Sequence, residues 1–349
     1  MTTWETNAPD FSQVLEALVD DSRPFPVNYY HQLANLSPEN AARLREVWPK
    51  VPLQRRRGLL EDLELLTEND LTLSFRDVGE IALEDPDPQV RFLGVRLLWV
   101  EEDNNLIPRF LQIAREDPDI DVRANAVGAL GSYMYQAALE ELPERYTRDI
   151  ERTLMAFLED PSQPDVVRRQ ALEVLGYSLN VNLDPWLEDA FMHPDEDWRI
   201  SALFAAGRTA NARWADDVRD YLHHESPRLR AEAARAAGEM MLKDVTDDLL
   251  ELLEDPSPDV RVNAAWALSE IGGGESIAAA LEAALERAAS EEEAAVLEDA
   301  LSNLEFTDGM ADLMMMDFTP EDLEDLIHEE DIDDLLALFG GDEDDEDEI

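Results

Sequence analysis

Asp255-Pro256-Ser257-Pro258-Asp259-Val260-Arg261-Val262-Asn263-Ala264 decides the fold, because its grammar recurs along the chain. The two prolines stop one helix, since proline lacks the amide proton and crowds the preceding turn. Asp259 is then placed to cap the next helix through its side-chain oxygen and to suit the helix dipole. The same grammar appears in Asp85-Pro86-Asp87-Pro88, in Asp117-Pro118-Asp119-Ile120-Asp121 and in Asp160-Pro161-Ser162-Gln163-Pro164-Asp165. After each turn come an apolar residue and an arginine: Val90-Arg91, Val122-Arg123, Val167-Arg168, Trp198-Arg199, Leu229-Arg230 and Val260-Arg261. Successive copies start 32, 45, 31, 31 and 31 residues apart. A period of this kind marks a repeat array.

With the apolar residue as position zero, position four is always small: Gly94, Ala126, Ala171, Ala202, Ala233 and Ala264. Position eight is apolar: Leu98, Leu130, Leu175, Ala206, Ala237 and Leu268. Positions zero, four and eight share one helix face, which would be the packed one. Position nine is glycine in four copies (Gly131, Gly176, Gly207 and Gly238), which suits either close packing or a helix end. An apolar segment such as Asp247 to Leu253 precedes each copy. Each unit therefore reads as a helix, a turn and a second helix, and the chain as all-α.

The Asp-Val-Arg-x-x-Ala of Asp121 to Ala126 and of Asp259 to Ala264 resembles the HEAT repeat family, in particular its short-repeat subclass called PBS lyase HEAT-like. The resemblance covers residues 74–289, about six to seven repeats. It implies an α-solenoid in which the second helices line the concave side. The recurrent arginines Arg91, Arg123, Arg168, Arg199, Arg230 and Arg261 are expected to pair with carboxylates of adjacent repeats, a structural role, because a ligand contact need not recur in every unit. The resemblance says little about function, since one fold hosts many activities.

The 45-residue spacing holds about 13 extra residues, near 132–149, expected to form a longer second helix and a loop. Residues 1–73 lack the repeat but read as helical, with a capped start at Ser37-Pro38 and periodic apolar residues from Leu53 to Leu66; they suit an N-terminal cap. Their basic cluster, Arg43, Arg45, Lys50, Arg55, Arg56 and Arg57, reads either as a solvated face or as a docking patch. A final helix is expected over 290–306. Residues 307–349 form an acidic tail with apolar clusters that include Met315, Phe318, Leu326, Leu335 and Phe339. It either caps the last repeat or is partly disordered and folds on a partner.

The chain of 349 residues carries 81 acidic against 28 basic residues, a formal net charge of −53. Such a surface repels nucleic acid and anionic membranes, and favours partners with basic or mixed surfaces. It also suits a salt-adapted protein. There is no cysteine, so thiolate chemistry and disulfides are excluded. Met1 to Asp20 has no basic residue and no apolar run of a secretory signal, and no stretch is long and apolar enough to span a membrane. A cytoplasmic location is the expectation. The histidines His31, His193, His223, His224 and His328 show no zinc-protease spacing. HEAT-type di-iron hydroxylases use several His-Glu pairs, whereas only His224-Glu225 and His328-Glu329 occur here. Gly272-Gly273-Gly274 lacks the following Lys-Ser or Lys-Thr of a phosphate loop. No cofactor or metal is expected.

On the second helices, positions three, six and ten fall at about 300°, 240° and 280° and form one stripe away from the packed face. These positions vary between repeats. The resemblance would make the stripe the concave, binding surface. Arginine and aromatic side chains are favoured binding anchors, which singles out Arg96, Tyr177, Phe204, Arg208, Arg235 and Trp266. For Phe204 and Trp266 the competing role is inter-repeat core; for the arginines it is pairing with neighbouring acids. The reading that follows is a non-enzymatic scaffold binding a protein or peptide, with the chain's own tail as one candidate occupant. A phycobilin-lyase-like or hydroxylase-like HEAT enzyme is the alternative.

Overall fold

The computed structural model describes residues 10–315 apart from Leu71 and Glu102, with backbone alone for 68–69 and 308–315. Among these residues there are eighteen α-helices, short 3₁₀ turns and no strand. The N-terminal region supplies α1 (Phe11–Val19), α2 (Pro38–Val47) and α3 (Leu53–Asn69). Seven helix pairs follow. They are α4 (Arg76–Ala82) with α5 (Pro88–Trp99), and α6 (Ile107–Glu116) with α7 (Ile120–Gly128), which α8 (Leu130–Ala138) prolongs. Next come α9 (Glu144–Glu159) with α10 (Asp165–Leu175), α11 (Asp184–Phe191) with α12 (Glu196–Thr209), and α13 (Ala215–Leu222) with α14 (Pro227–Glu239). The array ends with α15 (Thr246–Leu252) and α16 (Pro258–Ile271), then α17 (Glu275–Leu285) and α18 (Glu291–Met315). The last helix thus runs past residue 306, and its described part reaches Met315. Phe318, Leu326, Leu335 and Phe339 lie outside the described residues, as do both tail readings.

The turn grammar works through a different residue from the one the sequence suggests. Asp259 does not cap α16; the N-cap is Ser257, and Asp259 sits in the first turn. The first aspartate of the turn does the local work. Asp85, Asp117 and Asp255 each accept the amide two residues on, at 2.9, 2.9 and 2.8 Å. Asp87 and Asp119 then cap α5 and α7. Where histidine replaces that first aspartate, its Nδ1 accepts the same amide: His193 from Asp195 at 3.1 Å and His224 from Ser226 at 3.0 Å. These histidines are turn residues. His223 faces Asp248 at 3.3 Å, and His328 is outside the described residues.

Two apolar clusters fill the interior. One joins α1–α3 to the first pair, with Leu59, Leu60 and Leu63 packed with Val90, Leu93 and Leu97. The other starts at Leu83, Val95 and Leu98 and runs continuously to Leu304. Helix α5 contributes to both, so the N-terminal helices cover the first open face of the array. Their basic cluster fastens this cover. Arg56 meets Asp85 at 2.7 Å, Arg57 grips Asp87 at 3.0 and 2.7 Å, Arg55 bonds the Asp20 and Arg23 carbonyls, and Arg43 bonds Ser12.

The second helices lie against one another from α5 to α18, whereas the first helices mainly meet their own partners. The second helices thus form the more closely packed, inner row of the array and the first helices the outer one. Glycine at position nine is what lets them approach. A Cβ on Gly176, Gly207 or Gly238 would stand 3.1, 3.0 or 2.8 Å from a backbone Cα of the next second helix. Close packing therefore explains these three; Gly207 and Gly238 lie inside their helices, whereas Gly176 also stands at the end of α10. Gly272 does end a helix, with φ of 70° in the left-handed region.

The repeat arginines divide into two groups. Arg91 clamps Asp117 at 2.8 and 2.8 Å, Arg230 clamps Asp255 at 2.8 and 2.9 Å, and Arg261 clamps Glu293 at 2.6 and 2.8 Å, each reaching into the next repeat. The expectation of carboxylate pairing between repeats fails for the other three. Arg123 meets neutral Gln163 at 3.3 Å, and Arg168 faces Asp165 of its own helix at 3.5 Å while stacking on Trp198. Arg199 bonds only the carbonyls of His193 and Pro194. For Arg168 and Arg199 the reason is the turn ahead, where His193 and His224 stand in place of an aspartate such as Asp117 or Asp255. The turn ahead of Arg123 starts with Asp160 but is two residues longer, and Gln163 rather than Asp160 meets the arginine.

Candidate functional site

The stripe on the inner helices brings four of the six singled-out residues into direct contact. Arg208 lies over the Tyr177 ring at 4.7 Å and the Phe204 ring at 5.1 Å, and Arg235 lies over Phe204 at 4.2 Å. Such contacts contribute about 0.5–2 kcal/mol each, depending on exposure. Trp266 extends the row by one repeat and packs over Gly238, whose missing Cβ leaves room for the indole. Arg96 stands apart near the N-terminal cover, paired with Glu64 at 2.5 Å.

Phe204 and Trp266 are half-buried, so each ring keeps an open edge. They are neither core nor free surface. The arginines are all engaged by acids. Arg208 pairs with Glu239 at 2.9 Å, and Arg235 pairs with both Glu232 and Glu239. Burial pushes the Glu239 carboxyl up, against the pull of Arg235 and Arg208. Burial likewise pushes Glu173 up, although it accepts the Ser201 hydroxyl at 2.5 Å. With Glu173, Glu232, Glu239 and Glu270 set against Arg208 and Arg235, this part of the stripe is net acidic.

Two aromatic residues of this face escape the repeat pattern. Tyr135, on the inserted α8, meets Tyr177 edge-on at 5.7 Å and is half exposed. Trp99 is exposed at the end of α5 beside Gly128. Tyr135 lies beyond position ten, in the insertion, and Trp99 replaces the position-nine glycine; aromatic residues at those two departures were the available signal. Among the described residues no group of three or more His, Asp or Glu side chains is arranged to hold a metal ion, and no helix is long and apolar enough to cross a membrane.

A family model described as HEAT repeats matches residues 76–152, 183–253 and 242–305, more than half of the chain. The unmatched stretch between the first two blocks holds α10, just after the insertion. The chain is similar in fold to the Escherichia coli protein YibA, with 19% identity over 81% of this chain and 98% of that one and a TM-score of 0.42. It is similar to human deoxyhypusine hydroxylase in complex with glycerol, at 17% identity over 85% and 96%, TM-score 0.33. It is also similar to the complex of CpcE and CpcF of phycocyanin lyase from Nostoc sp. PCC7120, at 18% identity over 66% and 94%, TM-score 0.45. At such identities the likeness concerns the fold, and what those proteins act on does not carry over. No curated protein matches the chain.

Proposed function

The chain belongs to the HEAT repeat family, and from that premise we propose that it is a non-enzymatic, cytoplasmic adaptor that binds another protein along its inner helices. The observation that carries this reading is the row Tyr177–Arg208–Phe204–Arg235–Trp266 on successive second helices. It offers half-open rings, held rigid by arginines that are in turn held by glutamates. Rigid aromatic anchors lose little entropy on binding. The row differs in each repeat while the packed positions stay small or apolar, so a partner is read in one register only.

Charge selects the partner. The acids of the stripe and the net charge of −53 favour a basic or mixed protein segment and oppose nucleic acid. The chain's own tail fits poorly, since residues 307–349 carry 19 acids and no lysine or arginine.

A photo-crosslinking residue placed at Tyr177, Phe204 or Trp266 tests the reading in native lysate, with exposed Met192 at the end of the outer helix α11 as control. The adaptor reading expects one discrete adduct from the stripe positions and none from Met192. Adducts from Met192 alone, or the same adducts from every position, would refute it.

A further inference from the structure

The insertion that breaks the repeat period builds a cleft of 590 Å³ between the end of α8, the start of α9 and the loop after α10. At its floor lies Glu151, whose side chain belongs to a residue only 8% exposed. Its Oε1 accepts the Ser178 hydroxyl at 2.5 Å and the Asn180 amide at 3.1 Å. Ser178 is fixed in turn, because its Oγ accepts the Asn180 and Val181 backbone amides at 3.1 and 3.2 Å. Oε2 has no partner among the described residues.

Three other buried carboxylates, Asp85, Asp255 and Glu293, each have an arginine within ion-pair distance. Glu151 has neutral donors only, so its charge is oriented but uncompensated. Leu142, Pro143 and Tyr177 give the cleft apolar walls, and Leu179 stands at its mouth 77% exposed. Glu140, Glu141 and Glu144 ring the entrance. An anion would be repelled there, and a neutral group would leave Glu151 unmatched. A long aliphatic stem ending in a cation satisfies both walls and floor. Tyr177 belongs to this cleft and to the stripe, so the two are continuous.

We propose that this cleft receives one arginine or lysine side chain of the bound protein, with Glu151 as its counter-ion and Leu142, Pro143, Tyr177 and Leu179 around its stem. Only the origin of that side chain, a protein lying on the stripe, rests on the adaptor reading.

The experiment is a two-dimensional NMR titration of the full chain with Nα-acetyl-arginine methylamide and Nα-acetyl-lysine methylamide. Nα-acetyl-citrulline methylamide serves as the uncharged control. The cationic probes are expected to shift the Ser178, Leu179 and Asn180 amides saturably, and citrulline to bind at least tenfold more weakly. E151Q keeps an acceptor for Ser178 and Asn180 and should weaken both cationic probes at least tenfold. L179S alters only an exposed side chain and should weaken them several-fold, so the cleft stays testable even where E151Q disturbs folding. Shifts spread over the acidic surface, equal binding of citrulline, or affinity unchanged in both variants would overturn the proposal. Because these probes need no partner, they score the cleft separately from the crosslinking at the stripe.

Discussion

Replacing Arg230 by methionine separates inter-repeat clamping from the rest of the repeat grammar. The Arg230 guanidinium bonds the carbonyls of its own turn, His224 at 2.7 Å and Glu225 at 3.0 Å, and clamps Asp255 of the next repeat at 2.8 and 2.9 Å. The Asp255 side chain is 6% exposed, so R230M leaves it buried without its ion-pair partner, with only the weaker pull of Arg261. Losing one partner of a buried pair costs about 3–5 kcal/mol. Arg199 is an internal control. It bonds the equivalent carbonyls, His193 at 2.6 Å and Pro194 at 3.0 Å, but meets no carboxylate within ion-pair distance. R199M should therefore cost about 1.5–3 kcal/mol, the range for charge-assisted hydrogen bonds. Burial pushes the Asp255 carboxyl up, but Arg230 and the Ser257 amide outweigh this and hold it below the usual value. A depressed carboxyl stabilises the fold above its unfolded value of about 3.9 and loses that contribution as pH falls through its folded value. In R230M burial dominates, so the R230M deficit is largest near neutral pH and shrinks toward acid. Urea unfolding of the full chain from pH 7 to pH 4 gives these numbers, with slopes compared because repeat arrays can lose cooperativity. Equal costs for R199M and R230M, or no coupling between R230M and D255N in a double-mutant cycle, would refute the clamp.

G131A and G238A change the same repeat position with opposite expected signs. A Cβ on Gly131 meets only Val174 at 3.7 Å, so alanine should stabilise by up to about 1 kcal/mol through helix propensity. On Gly238 it would stand 2.8 Å from the Ala267 Cα, and overpacking of about 1–3 kcal/mol should exceed that gain, both read by thermal unfolding. Burial raises the Glu173 carboxyl, so its favourable contribution is complete below its unfolded value and is lost as pH rises through the folded one. E173Q should flatten that part of the stability–pH curve and be at least as stable as wild type at pH 7; lower stability at pH 7 would contradict this. F204A removes the ring that Arg208 and Arg235 both contact and should weaken the crosslinked partner's binding at least tenfold, about 1.4 kcal/mol, in a calorimetric titration.

The period, the helix pairs and the inner row of second helices were legible because they rest on contacts repeated in each unit. Gly176, Gly207 and Gly238 mark close approaches of neighbouring second helices, and histidine in place of a turn's first aspartate marks where Arg168 and Arg199 find no carboxylate of the next repeat. What the sequence hides depends on one-off geometry. Gly131 looks like Gly238, but a Cβ there would make only an ordinary contact with Val174. For Arg208 and Arg235 the sequence leaves binding anchor and acid pairing open, and only the structure shows which acids, Glu232 and Glu239, hold them. Glu151 is one acid among many until the insertion folds over it. Asp259 looks like a cap, yet Ser257 takes that place because Pro258 starts the helix.

Hydrogen exchange of the full chain, with and without the crosslinked partner in saturating amount, tests the central claim most directly. Binding along the inner row predicts protection concentrated on α10, α12, α14 and α16, with α11, α13 and α15 unchanged. Protection confined to the outer helices, or none on the segments holding Tyr177, Phe204 and Trp266, would contradict it.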